Sequence, residues 1–243
     1  MARADNRKND ELRPLSFAYG FAKNADGSVL VEFGNTKVLV TAQIEEKVPP
    51  FLEGTNKGWL TAEYSLLPGS TKPRNQREVN KGRPSGRTNE IQRLIGRSLR
   101  AAFDLSTIGS RTITVDADVI NADASTRVAS ICGGYLAVYK ALSKLKEKGI
   151  ISRVPVIEPV AAVSIGVVKG ELLLDLSYSE DSQAEVDCNV VMNKSGKIIE
   201  LQMTAEGKPF SQELVGQMVQ LAQKGINKII EKQLEVTELA LVH

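Results

Sequence analysis

Five carboxylates fall within thirteen residues between Asp175 and Asp187, in LLLDLSYSEDSQAEVDCNVVM, on a turn flanked by two apolar stretches. The only histidine of the 243 residues is the last, His243, so acid–base or metal chemistry has to come from acids. Carboxylates this close repel one another and at neutral pH must be solvated, partly protonated or bridged by a cation. After the turn, Val186, Cys188, Val190 and Met192 share one face of a strand, which puts Asp187 and Asn189 on the other. Read alone, the turn suits a solvated, acid-rich hairpin loop at least as well.

Two helix starts are built to hold an anion. Gly86-Arg87-Thr88 places a fixed cation beside free backbone N–H groups, where the helix dipole favours negative charge. Ser125-Thr126-Arg127, with Ser130 one turn further on, brings together hydroxyls, backbone donors and a guanidinium, the donor set a tetrahedral phosphate requires. Ordinary helix capping accounts for either motif taken singly.

A net charge of +2 conceals an asymmetry. Gly69 to Arg100 holds nine basic residues (among them Lys72, Arg74, Arg77, Arg87, Arg93, Arg97 and Arg100) against Glu78 and Glu90, a local charge of +7 that leaves −5 for the remainder. A compact basic stretch on an otherwise acidic chain is the footprint of a polyanion ligand, and nucleic acid is the leading partner class. Arg93, Arg97 and Arg100 also fit the solvated face of a helix, whereas Lys72 to Arg87 lie in a Gly/Pro/Ser/Asn-containing loop with no such stripe.

Other chemistries drop out. A serine or cysteine nucleophile activated by histidine and a histidine metal site both need an imidazole the chain places only at its end. Cys132 and Cys188 are isolated and read as packing residues. The N-terminus is polar, and the longest apolar stretch, Val160 to Val168, is far too short for a membrane span, which predicts a cytoplasmic protein.

The elements that must position these residues follow from periodicity. Strands are expected at Ser28–Phe33 and Thr36–Ile44 around a Gly34-Asn35 turn, near Trp59–Leu66, and at Thr112–Val119. Helices are expected from about Thr88, with Ile91, Leu94, Ile95, Leu99, Ala102 and Phe103 on one face, and from Thr126 to Lys148, whose VASICGG half permits close backbone approach. Strands at Val160–Val168, Glu171–Tyr178, Val186–Met192 and Lys197–Thr204 precede a long helix from an N-cap at Ser211 to about Leu234. Strands then helices, twice, predict an α+β fold of two similar halves, about 1–150 and 151–243, forming one continuous domain over 1–243.

The stretches ELRP, DGSVLVEFGNTKVLVTA, GWLTAEYSLLP, GRTNEIQRLIGRSLRAA, RTITVDADVINAD, STRVAS, the acidic turn and IIELQMTAEGKPFS, in this order from about residue 8 to about residue 230, give the chain a family identity. It resembles the ribonuclease PH family of phosphate-dependent exoribonucleases. The resemblance implies the ribonuclease PH-type fold: two βαβ-containing halves with mixed sheets packed against helices. It further implies phosphorolytic 3′-to-5′ trimming of tRNA precursors, with tRNA and rRNA processing as the setting and nucleoside 5′-diphosphates as products.

Inorganic phosphate as co-substrate would be held by Arg87 and by Ser125, Thr126 and Arg127. Asp181 and Asp187 would bind Mg2+ or act as acid and base. Arg74 and Arg77, with Arg93 and Arg97 on the following helix, would contact RNA. Six chains would form a ring as a trimer of dimers. Two positions depart from the family: Gly69 stands where an arginine usually follows Leu-Leu-Pro, and Ala124-Ser125 stand where glycines commonly precede Thr-Arg. A left-handed backbone there would strain Ala124. The rival readings are a non-catalytic RNA-binding ring subunit of an exosome-like assembly and a hydrolytic magnesium nuclease.

Overall fold

Alternation of apolar and polar residues builds the first sheet. The computed structural model describes residues 3–241, and His243 lies outside them. Five strands, β1 (Leu15–Tyr19), β2 (Gly27–Phe33), β3 (Thr36–Glu45), β4 (Trp59–Leu66) and β5 (Thr112–Asn121), lie in the order β1-β2-β3-β5-β4. All pairs are antiparallel except β4 with β5. That parallel pair is joined through the basic loop and helix α1 (Gly86–Arg100), so the first half contains a βαβ crossover. The β2–β3 hairpin closes Phe33 against Thr36 through a left-handed Gly34 at φ 54°, a backbone conformation that costs glycine nothing. Strand β1 escapes sequence reading because it is short and follows a charged segment; it is fixed by pairing along the edge of β2.

The second sheet holds β6 (Val160–Val168), β7 (Glu171–Leu174), β8 (Val186–Asn193) and β9 (Ile198–Ala205) in the order β7-β6-β8-β9, antiparallel throughout. Only the first sheet is mixed, and only the first half carries a crossover with parallel strands. The expected strand Glu171–Tyr178 ends at Leu174, because Asp175 turns to φ 53° and Ser177 opens a short helix, α3 (Tyr178–Asp181). The sequence carries the signal in Ser177-x-x-Glu180: the Glu180 carboxylate accepts from the Ser177 N–H at 2.9 Å, one half of a capping box.

Helix α2 (Thr126–Glu147) lies between the sheets, packed on β2 and β3 on one side and β6 on the other. From Val128 to Val138 all its residues are buried, as for a helix covered on all sides. Its small residues permit this: a methyl at Gly133 would collide with Val31, and one at Gly27 of β2 would collide with the Ala137 carbonyl. The apolar face of α1 (Ile91, Leu94, Ile95, Leu99), with Ala102 and Phe103 just beyond it, is at most 1% exposed. Helix α4 (Gln212–Leu241) runs further than the expected end at Leu234 and buries Met218, Ala222, Ile226, Ile229 and Ile230 against the second sheet. One apolar core runs through both halves, and Cys132 and Cys188 are buried in it as free thiols. No helix among the described residues is long and apolar enough to cross a membrane.

Candidate active site

The start of α2, the start of α1 and the acidic α3–β8 segment converge on one cavity of about 220 Å³. It is lined by Arg87, Ser125, Thr126, Arg127, Asp181 and Asp187, and by Tyr64, Thr71, Ser164, Tyr178 and Asn189. Residues some 100 positions apart in sequence are thus brought together because α2, which lies between the two sheets, begins at this cavity.

Backbone strain shapes the anion-binding end. Ala124 and Ser125 both adopt φ 56°, the left-handed region where non-glycine residues are costly by about 1–2 kcal/mol each. The bend turns the Ser125 hydroxyl away from its own helix to meet Ser164 Oγ at 2.8 Å, so no side chain caps α2. The first N–H groups of α2 therefore keep their hydrogen-bonding capacity and the positive end of the helix dipole at the cavity. Thr36 Oγ1 donates to the Ala124 carbonyl at 2.7 Å and accepts from the Asp123 N–H at 3.0 Å, fixing the bend.

Beneath it lies a buried ionic clamp that sequence reading missed. Arg13 holds the fully buried, left-handed Asp175 through Nη2–Oδ1 at 2.7 Å, Nε–Oδ2 at 3.0 Å and its own backbone N–H at 2.8 Å. Asp175 Oδ1 also accepts from Ser125 Oγ at 3.4 Å, and the Leu176 N–H donates to Ser164 Oγ at 3.2 Å. Arg3 grips Glu180 with two bonds of 2.8 Å, pinning α3 and with it the adjacent Asp181. The ELRP motif contained Arg13, but nothing local names a partner 162 residues away.

The two arginines differ. Arg127 is oriented by Gln202 Oε1 at 2.9 Å and lies 3.5 Å from Glu90, while Gln202 Nε2 donates to that same Glu90 carboxylate at 2.7 Å. Arg87 is exposed at the second position of α1. At that helix start Ser85 Oγ accepts from the Thr88 N–H at 3.1 Å, which satisfies one of the first-turn N–H groups, and Arg87 adds a fixed guanidinium beside the others.

The acidic pair is electrostatically loaded. Register places Gly166, Asp187 and Thr204 side by side across β6, β8 and β9, and Ser164, Asn189 and Gln202 in the next polar row. Burial pushes the Asp187 carboxyl up to about 6, with repulsion from Asp181 and Glu206 adding to it and Arg127 and Arg87 pulling the other way. Asp181 is raised too, chiefly by burial, against the pull of Arg87, Arg127 and Arg13. Two carboxyls that burial pushes up and neighbouring arginines pull down suit a divalent cation. Among the described residues no group of three or more histidine, cysteine or carboxylate side chains gathers to hold a metal, so the protein would supply these two carboxylates and substrate or water oxygens the remaining ligands.

Three of the expected site residues are already engaged by neighbours. Ser130 is fully buried, outside the cavity lining, and spends its hydroxyl on the Thr126 carbonyl at 2.8 Å, as helical serines commonly do. The Thr126 hydroxyl shares a hydrogen bond of 2.8 Å with Tyr64 Oη, which orients it at the cavity and uses one of its hydrogen-bonding positions. Arg97 is paired through two bonds of 2.8 and 2.9 Å to Glu200, and Arg100 donates to the Leu60 carbonyl and lies 4.7 Å from the Trp59 ring centroid. Arg97 is exposed all the same, as are Arg74, Arg77 and Arg93, whereas Arg100 is half-buried. Gln202, Glu90, Tyr64 and Ser164 were not anticipated. Alternation of Glu200, Gln202 and Thr204 in β9 marks a polar face, but not what it faces.

Models of the 3′ exoribonuclease family match residues 11–143 (domain 1) and 158–225 (domain 2). The protein named ribonuclease PH from Syntrophomonas wolfei is 54% identical over 233 residues, covering 96% of this chain and 98% of that one. The ribonuclease PH of Bacillus velezensis is 54% identical over 235 residues, 96% of each. The chain belongs to the ribonuclease PH family. Among solved structures it is similar to a chain of the Archaeoglobus fulgidus exosome with RNA bound to the active site, at TM-score 0.81 and 21% identity over 95% of this chain and 92% of that one. Rice Rrp46 is similar at TM-score 0.77 and 20% identity, over 95% and 98%. These two likenesses concern the fold. As a ribonuclease PH family enzyme the chain is a phosphorolytic 3′ exoribonuclease, and full-length identity to proteins of that name does not favour the non-catalytic ring subunit.

Proposed function

We propose that the cavity between α2 and α3 is where orthophosphate attacks the last phosphodiester of an RNA, with tRNA 3′ ends as the substrate class. The observation that carries this reading is the convergence of Arg87, Arg127, the uncapped start of α2, Asp181 and Asp187 on one cavity. Phosphate is gripped by the Arg127 fork and the α2 N–H groups, with Arg87 offsetting the repulsion between it and the RNA phosphate. An oxygen of phosphate forms the new bond to phosphorus and the bond to the 3′ oxygen breaks. The proton of the entering phosphate ends on that 3′ oxygen, giving a nucleoside 5′-diphosphate and a shortened RNA. Asp181 and Asp187 would hold Mg2+, which when bound would supply positive charge that stabilises the leaving oxygen. Arg74, Arg77 and Arg93 track the RNA backbone. The working assembly is read as a cytoplasmic homohexamer, a trimer of dimers, with the whole chain acting as one unit, and native mass measurement checks it.

Product analysis tests the reaction. Nucleoside diphosphates that appear only with added phosphate support it; monophosphates without phosphate mean hydrolysis, and no products mean a binding subunit.

The cation assignment has a pH signature. With Asp187 titrating at about 6, near that pH a large fraction of molecules carry its proton, and a bound cation must expel it. Calorimetric titration with Mg2+ should therefore show proton release near pH 6, absent two units higher where the carboxyl is already ionised, and absent in Asp187→Asn. Identical heats in buffers of different ionisation enthalpy at pH 6 would remove Asp187 as a ligand.

A further inference from the structure

The cavity does not end at Tyr178. A groove of about 450 Å³, a size typical of small-ligand sites, shares Thr71, Ala122 and Tyr178 with it and continues between α3 and the loop after β4. Three features of this groove are unexplained by the site already described. Tyr178 presents its ring to solvent, 64% exposed, while its backbone N–H is tied to Asp123 Oδ1 at 2.9 Å. Ser70, which lines the groove and is 2% exposed, has a buried hydroxyl with no partner. Among the groove's lining residues Lys72 is the one cation and Asp123 the one acid, so the groove, unlike the basic loop, has no surplus of positive charge.

Cleavage of the terminal phosphodiester leaves two things to seat on either side of the reacting phosphorus. One is a polyanionic chain, which follows exposed arginines. The other is a single nucleoside, uncharged, with a flat base and two ribose hydroxyls. The neutral groove with its free aromatic ring matches the second. We propose that it receives the 3′-terminal nucleoside of the RNA, its base stacking on Tyr178. This deepens the phosphorolytic reading and rests on it. Asp123 spends one oxygen on the Tyr178 N–H and the other on the Asn35 amide at 3.2 Å, and its remaining lone pairs, with the Ser70 hydroxyl, suit ribose hydroxyls. A ring that offers only its face reads no base identity, so trimming past any terminal base follows.

The test compares wild type, Tyr178→Ala and Tyr178→Phe in RNA and phosphate saturation curves, alongside binding of RNA carrying 2-aminopurine at its 3′ end. Loss of one stacked base should raise KM for RNA by about ten- to a hundredfold in Tyr178→Ala, with KM for phosphate unchanged and Tyr178→Phe within about twofold of wild type. Fluorescence of terminal 2-aminopurine should be quenched by wild type and Tyr178→Phe and not by Tyr178→Ala. A wild-type KM for RNA in Tyr178→Ala, or Tyr178→Phe as impaired as the alanine variant, overturns the stacking role. Quenching of a penultimate but not a terminal 2-aminopurine overturns the placement. If wild type yields no diphosphates the phosphorolytic reading fails, and the quenching pattern still decides whether a terminal base sits on Tyr178.

Discussion

Arg127→Ala is expected to lower kcat for phosphorolysis by about a hundred- to a thousandfold, the range seen when one preorganised donor to a developing anion is removed. The variant should remain folded, because the Gln202–Glu90 bond of 2.7 Å does not depend on the guanidinium. Arg127→Lys should recover little, since an ammonium cannot reproduce a fork that binds phosphate while donating to Gln202 at 2.9 Å. Arg87→Ala and Asp181→Asn should show losses of the same order, Arg87 through lost charge and Asp181 through a lost cation ligand. Release of diphosphates by Arg127→Ala at near the wild-type rate would remove the anion-binding role from α2. Single-turnover measurement with saturating RNA separates this from a defect in RNA binding, which the exposed arginines of the basic loop would produce instead.

The largest effect on stability should come from Arg13→Met. Asp175 is fully buried and two of its three hydrogen bonds from Arg13 come from the guanidinium, so deleting that group leaves a buried carboxylate without its main counter-charge, at a cost of about 3–5 kcal/mol. Arg7, 3.7 Å from the same carboxylate, offsets part of this and should hold the loss toward the lower bound. Urea unfolding measures it, and a midpoint shift equivalent to less than about 1 kcal/mol would show that the clamp is not holding the fold. Adding Asp175→Asn should restore part of the stability, because the neutral amide no longer needs a counter-charge. The double variant should still bind phosphate more weakly than wild type, because the Ser125–Ser164–Asp175 contacts that bend the start of α2 are altered.

Much of this was legible from residue order. The apolar face of α1, the alternation in β2, β3 and β5, and the small residues of α2 each specify an element because helix and strand periodicities are local properties. The parity that separated Asp187 from the Val186–Cys188–Val190 face holds, since neighbouring strands β6 and β9 lie in register on either side of β8. Short elements were less legible. Strand β1 is specified by its pairing rather than its composition, and α3 interrupts what reads as a continuing strand. The roles of hydroxyls were least legible: Ser125 and Thr126 sit where an anion could use them, yet they meet Ser164 and Tyr64, partners that only the fold supplies, while Ser130 bonds the Thr126 carbonyl one turn back in its own helix.

The sequence by itself determined the chemistry available to this protein. One terminal histidine, a clustered set of acids and two helix starts next to arginines leave guanidinium and carboxylate groups as the reactive side chains within reach, and the family resemblance implies phosphate as the anion they handle. Tertiary structure alone decided that these groups share a cavity, that α2 presents bare N–H groups because Ala124 and Ser125 are bent left-handed, and that Arg13 and Arg3 secure the acids from beneath. The physical reason is range. Residue type and spacing act over a few positions of chain, whereas the strain at Ala124 and the burial of Asp175 are maintained by contacts with Thr36 and Arg13, 88 and 162 residues away.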